Sequence, residues 1–559
     1  MIYILLYIKN QLLSYIHYIM KKFLPVLLIL QLYIGQAQSL LRGPYLQSLT
    51  NTSIKIMWRT ALPGDSKVIY GIAPGNLSNE MYIQDTVTNH IVKLDNLSPS
   101  TTYYYAIYTH DTLLAGSDSR HRFTTAPLPT DTSLMRIWVT GDFGAGNSEQ
   151  IQVRHTFQNY NIDFPTNFWL WLGDNVYDDG KDFEYQQKVF DSYFGYDSLF
   201  RFLPFYPCPG NHDYNSVYNR DKDPAIHRGP YFDMVETFRN GEGGGEPSGA
   251  EAYYSYDWGN AHFISLNSEL IQYIGDKNSV MAKWLQRDLE NCDKTWKIAY
   301  WHQPPYSKGS HDSDAAWELI MKGMRENYVP ILESYGVDLV LCGHSHVYER
   351  SYLLKGHYGK SGQLKPYMIK DSTDGNPDHG NTYIKYTYGA LKDTGTVYAV
   401  VGNSGKNESA NGKIHPAMVY KYEGSGNSGC MILEIEGHTL SAKYMDKYGN
   451  WLDKFVIHKL EDTSTPITTN VLNQFEVLPN PVRDHLQVRF SLVKDEELQL
   501  FISDIEGRIV WEKDLGKVNA NIPQTFTVEE VSLAKMLPQT YYITIHTKQG
   551  NTTIPFSKL

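Results

Sequence analysis

Four short apolar runs, RIWVT at 136–140, FWLWL at 168–172, WKIAYW at 296–301 and VDLVLC at 337–342, each stop abruptly at a glycine or a histidine. A chain punctuated this way has few folds open to it. Runs this short with no polar face suit strands buried on both sides, as in α/β domains. Groups just past the carboxyl ends of such strands line a crevice. Glycine there lets the backbone turn tightly while a neighbouring side chain projects inward.

The residues that follow these runs share one chemistry. Asp142 stands in GDFG, Asp174 and Tyr177 in GDNVY, Asn211 in GNHD, His302 in YWHQP, and His344 and His346 in GHSH. A lone Gly-Asp is ordinarily a turn and a lone buried Tyr is ordinarily packing. The ordered set is different, because a packed fold has no other reason to aim so many polar groups from strand ends. Two cations about 3.5–4 Å apart can clamp the attacking and leaving oxygens of a displacement at phosphorus, and a shared carboxylate offsets their repulsion. Asp174 suits that bridge. Hard oxygen donors mixed with three imidazoles favour iron, manganese or zinc, and calcium is a poor match.

The order GDxG, GDxxY, GNH[DE], a strand-borne His followed by Pro, and GHxHxYER resembles the calcineurin-like metallophosphoesterases, and within them the purple acid phosphatases. Tyr177 narrows it, and YYSYDWGNAHFISLNSE at 253–269 and YGVDLVLCGHSHVYERSY at 335–352 support it. The resemblance covers roughly residues 40 to 460. It implies that Asp142, Asp174, Tyr177 and His346 hold Fe(III), and that Asp174, Asn211, His302 and His344 hold a divalent ion, Fe, Zn or Mn. It further implies that His212 and His311 contact substrate phosphate and assist the leaving group. The loop SKGSHDSD departs from familiar members, so His311 also reads as a solvated loop residue. The implied fold is α/β, a metallophosphoesterase β-sandwich flanked by helices, with an all-β sandwich domain on each side. The implied activity is acid phosphatase action on a phosphate-ester small molecule. Phosphodiester, nucleotide or pyrophosphate hydrolysis on the same metal core stays open, as does an adhesin with a degenerate phosphatase fold.

With 50 basic against 61 acidic residues the net charge is −11, which disfavours non-specific binding to nucleic acid. From Met20 the sequence has a basic start, an apolar run from Phe23 to Ile34 and small residues Gly35 and Ala37, the pattern of a secretory signal cleaved after Ala37. That run is shorter than the ~20 residues a permanent transmembrane segment needs. Residues 1–19 read as a misassigned upstream start or as an extension of the apolar run into an anchor. The four cysteines are too few for a disulfide framework, and Cys208 and Cys342 read as small buried hydrophobes.

Residues 40–127 alternate in the manner of an antiparallel sandwich, with SIKIMWRT and SKVIYGI separated by a Pro-Gly-Asp turn. They resemble the fibronectin type III-like domain of plant-type purple acid phosphatases. The catalytic domain spans 131–460, with loop insertions at 240–251 and 359–381, the second able to border the pocket. A linker at 461–470 precedes a β module at 471–559. That module resembles the carboxy-terminal sorting domain of the type IX secretion system in its Pro-Asn-Pro start, its Asp504, Gly507 and Arg508, and its terminal Lys558. The two ends together imply export by the Sec and type IX machineries through the periplasm, to the medium or the cell surface.

Overall fold

The computed structural model describes residues 2–32, 38–193, 198–387, 392–409, 412–460, 472–478, 480–483, 485–504, 508–528, 533–534, 536–537, 540–547 and 550–558. Ala37, the linker at 461–470 and Gly507 lie outside them. The chain divides into two compact units, Met1–Lys459 and Leu460–Leu559. Residues Ile2–Leu32 are helical. Among the described residues no helix is long and apolar enough to cross a membrane.

Two seven-stranded sheets form the heart of the first unit. In one, Met135–Thr140, Phe168–Leu172 and Phe205–Cys208 run parallel, and Gly429–Glu436, Thr439–Asp446 and Trp451–Leu460 extend it antiparallel. In the other, Ala261–Ser265, Trp296–Trp301, Leu339–Cys342 and Val397–Val401 run parallel. Every residue of Phe168–Leu172 is buried, as its unbroken apolar sequence requires. Its even positions, Phe168, Leu170 and Leu172, join Phe263, Ile298 and Leu341 of the other sheet in one core; its odd positions, Trp169 and Trp171, pack outward with Phe157 and Phe200. Helices cover these outer faces. Ser148–Asp163 starts at Asn147, whose side chain accepts from Gln150 N at 3.0 Å, and Val280–Glu290 is capped by Ser279 in the same way.

Two sequence expectations need correction. The Pro-Gly-Asp segment is no turn: Ile54–Gly71 is one long strand paired with Asn79–Leu94 on both sides of it, and the ladder slips register between Arg59 and Ser66. A bulge absorbs the irregular residues and bends the strand, which costs less than breaking a ladder already formed on both sides. The insertion at 359–381 is likewise more than a loop, since Ile369–Asp371 pairs with Leu353–Leu354. Cys208 and Cys342 are buried and free. The amino-terminal sandwich does not stand apart from the two seven-stranded sheets. Its Trp58, Val92 and Tyr105 share the central hydrophobic cluster with Ile137 and Phe168, Tyr206 Oη donates to Leu49 O at 2.8 Å, and Arg59 pairs with Asp182 at 2.6 Å.

The second unit is a sandwich with its own core. A three-stranded sheet and a four-stranded sheet enclose Val488, Leu500, Ile502, Ile543 and Phe556. Asp504 accepts from Arg508 N at 3.0 Å and from its Nε at 2.8 Å.

Candidate metal centre and its cavity

Each motif leaves a strand at its carboxyl end. Asp142 follows Met135–Thr140, Asp174 and Tyr177 follow Phe168–Leu172, Asn211 and His212 follow Phe205–Cys208, His302 follows Trp296–Trp301, and His344 and His346 follow Leu339–Cys342. Both sheets therefore deliver groups to one end of the sandwich. The backbone is forced there: Asp142, Asp174 and His344 have φ of 55°, 47° and 67°, a region that costs a side-chain-bearing residue on the order of 1 kcal/mol or more. Gly173, at φ 86°, lies so close to His302 that a Cβ would sit 2.5 Å from its Nδ1. No other residue fits.

The convergence is tight. His302 Nδ1 lies 2.9 Å from Leu172 O, so the neutral ring that donates there presents Nε2 as a lone pair. That atom faces Asn211 Oδ1 at 3.1 Å, His344 Nδ1 at 3.2 Å and Asp174 Oδ1 at 3.3 Å. Tyr177 Oη lies 3.0 Å from Asp142 Oδ1 and 3.2 Å from His346 Nε2, which is itself 3.4 Å from Asp142. Asp142, Asp174 and His302 present ligand atoms all within 4.8 Å of one another. Oxygen and imidazole groups gathered this closely fit a cation set among them, and this mixture of donors fits iron, zinc or manganese.

The electrostatics point the same way. Burial opposes charge on His302, yet the adjacent Asp174 carboxylate holds it up to about 10; burial opposes charge on His346 too, but Asp142 and Glu408 hold it up to about 9. His344 is pushed far down by burial and by the neighbouring imidazoles. Burial and then Asp142 and Asp174 push the Tyr177 phenol well up. The pocket is short of positive charge.

The two remaining histidines flank this cluster, each about one-third exposed. The His212 ring lies 4.5 Å from that of Tyr177, with Nε2 3.8 Å from Asp174 Oδ2. The His311 ring packs 3.9 Å from that of His344, and its Nδ1 is 2.8 Å from Glu318 Oε1. All nine residues singled out from the sequence thus meet in one place.

Several neighbours carried no such sequence signal. Glu408 Oε1 lies 3.2 Å from His346 Nδ1, and Lys406 donates its backbone N–H to Asp142 O at 2.8 Å with its ammonium 5.5 Å from the Tyr177 ring. Their loop follows VYAVV at 397–401, another apolar run that ends in glycine, so the cue was the one used elsewhere. Asp213 accepts from Gly210 N, Asn175 N and Asn175 Nδ2 and so ties GDNVY to GNHD, while burial and then Asp174 push its carboxyl up to about 7. Glu349 accepts from Ser307 Oγ at 2.6 Å, and Ser345 Oγ lies 2.8 Å from that same hydroxyl, which fixes the loop that carries His311 against GHSH. That loop and His344 border a cavity of about 930 Å³. Ser361 of the 359–381 insertion braces the loop from behind through Asp314, at 3.0 Å from its backbone N, without lining the cavity.

Residues 135–348, which supply strands to both facing sheets, match the calcineurin-like phosphoesterase family. Residues 44–125 match the purple acid phosphatase N-terminal domain, and the two in this order make the fold that of a purple acid phosphatase. The structure of purple acid phosphatase PPD1 from yellow lupin seeds is similar at TM-score 0.56 and 17% identity, covering 74% of each chain. In sequence, purple acid phosphatase 15 of Arabidopsis thaliana is 29% identical over 287 residues, 47% of this chain and 49% of that one. Acid phosphatase type 7 of Mus musculus is 26% identical over 349 residues, 56% of this chain and 72% of that one. The chain spans about half the length of the plant relative.

Proposed function

We propose that this site binds two metal ions and hydrolyses phosphomonoesters. The observation that carries the reading is the cluster of carboxylate, amide, phenol and imidazole groups around His302 Nε2 and Tyr177 Oη, at 3.0 to 3.4 Å, which suits cations. Asp142, Asp174, Tyr177 and His346 would hold Fe(III), as the family resemblance implies, and Asp174, Asn211, His302 and His344 a divalent ion. Such a pair supplies, when bound, hydroxide at a pH where free water is neutral and charge to offset the phosphate. His212 and His311, exposed beside the cluster, would donate to phosphate oxygens as negative charge develops. Glu318 occupies His311 Nδ1 and so leaves Nε2 to pass a proton to the departing alkoxide.

Metal analysis together with a phosphatase assay on the purified full chain tests this. Two metals per chain, one of them iron, and a visible charge-transfer band lost in Tyr177→Phe are expected. A folded protein that takes up no metal and cleaves no phosphomonoester would instead favour an adhesin on the same fold. Activity confined to diesters or nucleotides would keep the metal core and change the substrate.

We further infer export, from the amino-terminal segment ending at Ala37 and from the separate core of the 472–558 module, which suits a detachable sorting domain. Secretion of a chain lacking 471–559 would overturn that part alone.

A further inference from the structure

The cavity beside His311 and His344 differs from the metal cluster in character. Its far wall is apolar: Ile271, Trp317 and Leu319 line it and are 70%, 79% and 67% exposed, so nothing among the described residues covers them. Its charged lining is acidic, Asp312, Asp314 and Glu318, and among the described residues no lysine or arginine lines it. Lys308, which stands behind, is taken up by Asp312 at 2.6 Å and Asp314 at 2.9 Å. A second phosphate would therefore meet carboxylates and no free cation. At about 930 Å³ the space exceeds what a bare phosphate needs and matches an organic group of small-molecule size.

We propose that this cavity is the leaving-group subsite, and that it selects monoesters of uncharged aromatic alcohols over pyrophosphate and nucleoside polyphosphates, with Trp317 as the stacking wall. This rests on the phosphomonoesterase reading. It follows from position: His311 borders the cavity and the metal cluster alike, so an ester whose phosphorus sits at the cluster places its alcohol portion against Trp317. Stacking on an indole face rewards an aromatic ring and gives nothing to a glycerol chain.

Two measurements on the metal-loaded full chain test it. Turnover of 1-naphthyl phosphate, glycerol phosphate, ATP and pyrophosphate gives selectivity as ratios of kcat/KM, and calorimetry with 1-naphthylphosphonate and methylphosphonate gives binding without chemistry. Naphthyl phosphate should be preferred to the others. Trp317→Ala should cut its preference over glycerol phosphate, and the binding preference for the naphthyl phosphonate, by roughly tenfold, with Trp317→Tyr restoring most of both. Because Trp317 is exposed, the variant tests contact and not folding. Preference for ATP or pyrophosphate, or an unchanged ratio in Trp317→Ala, would overturn the subsite. Absence of all turnover with the phosphonate preference intact would sink the phosphatase reading and leave the subsite standing.

Discussion

Asp142 and Asp174 are both buried carboxylates on strained backbone, yet they are not equivalent. Asp174 faces the imidazole of His302 through one oxygen and that of His212 through the other, whereas Asp142 meets Tyr177 and His346 through one oxygen and the backbone N–H of His344 through the other. Asp174→Ala should therefore lose both metals and Asp142→Ala chiefly one, as read by metal content per chain; two metals retained in Asp174→Ala would end the bridging role. A second residue-scale prediction concerns pH. His357 and His415 are fully buried away from the metal cluster, and burial pushes them down to about 4 and about 3. Their folded pKa values lie below the ~6.5 of the unfolded chain, so the unfolded state binds more protons as pH falls and stability declines from about pH 6.5 downward. His357 alone accounts for roughly 3 kcal/mol across that window. The double variant His357→Leu/His415→Leu should show a flatter fall of Tm between pH 7 and 4 than the parent; equal slopes would refute the assignment. At this scale the residues that converge were legible because their types suit metal chemistry and their order resembles that of a known family. Glu408 and Glu318 were not, because they reach His346 and His311 only through tertiary packing.

Among elements, the strands before the ligands were legible where they are uniformly apolar. Phe205–Cys208 was the hardest of them to read, since FYPC is short and contains Pro207, which argues against a central strand. It lies at the end of its sheet, where a missing N–H costs little. The long bent strand Ile54–Gly71 was misjudged for a related reason, because turn residues and bulge residues look alike until the partner strand is known. The loop bearing His311 offers the test at this scale. Glu349 is its anchor through Ser307, with Lys308 N also within 3.3 Å. Glu349→Ala should speed amide exchange over 307–318 and lower kcat by about tenfold or more with the metals retained, since misplacing a catalytic group by a small distance is costly. Unchanged exchange in that segment would show that the loop holds itself.

For the molecule as a whole, the order of modules was legible and their degree of union was not. The first sandwich shares its core with the phosphoesterase domain, through residues that read as ordinary strand interior. The module at 472–558 has a core of its own, and the farthest residue of the site along the chain, Glu408, lies well before it. Removing 471–559 should leave a folded chain with unaltered metal content and kcat, and calorimetry of the full chain should show an extra transition that the truncated one lacks. Coincident loss of both would mean that the two units depend on each other.

The left-handed backbone at Asp142 carries a further meaning for how such a chain is selected. A carboxylate there is buried beside a second one and held at φ 55°, which an asparagine tolerates better. The amide introduced by Asp142→Asn could still accept from His344 N and donate to Tyr177 Oη, the two atoms Asp142 now engages. Stripped of metal, Asp142→Asn should melt above the native sequence, while the metal-loaded native protein should melt above both. The aspartate would then be a residue that selection for robustness alone tends to discard and that only activity retains.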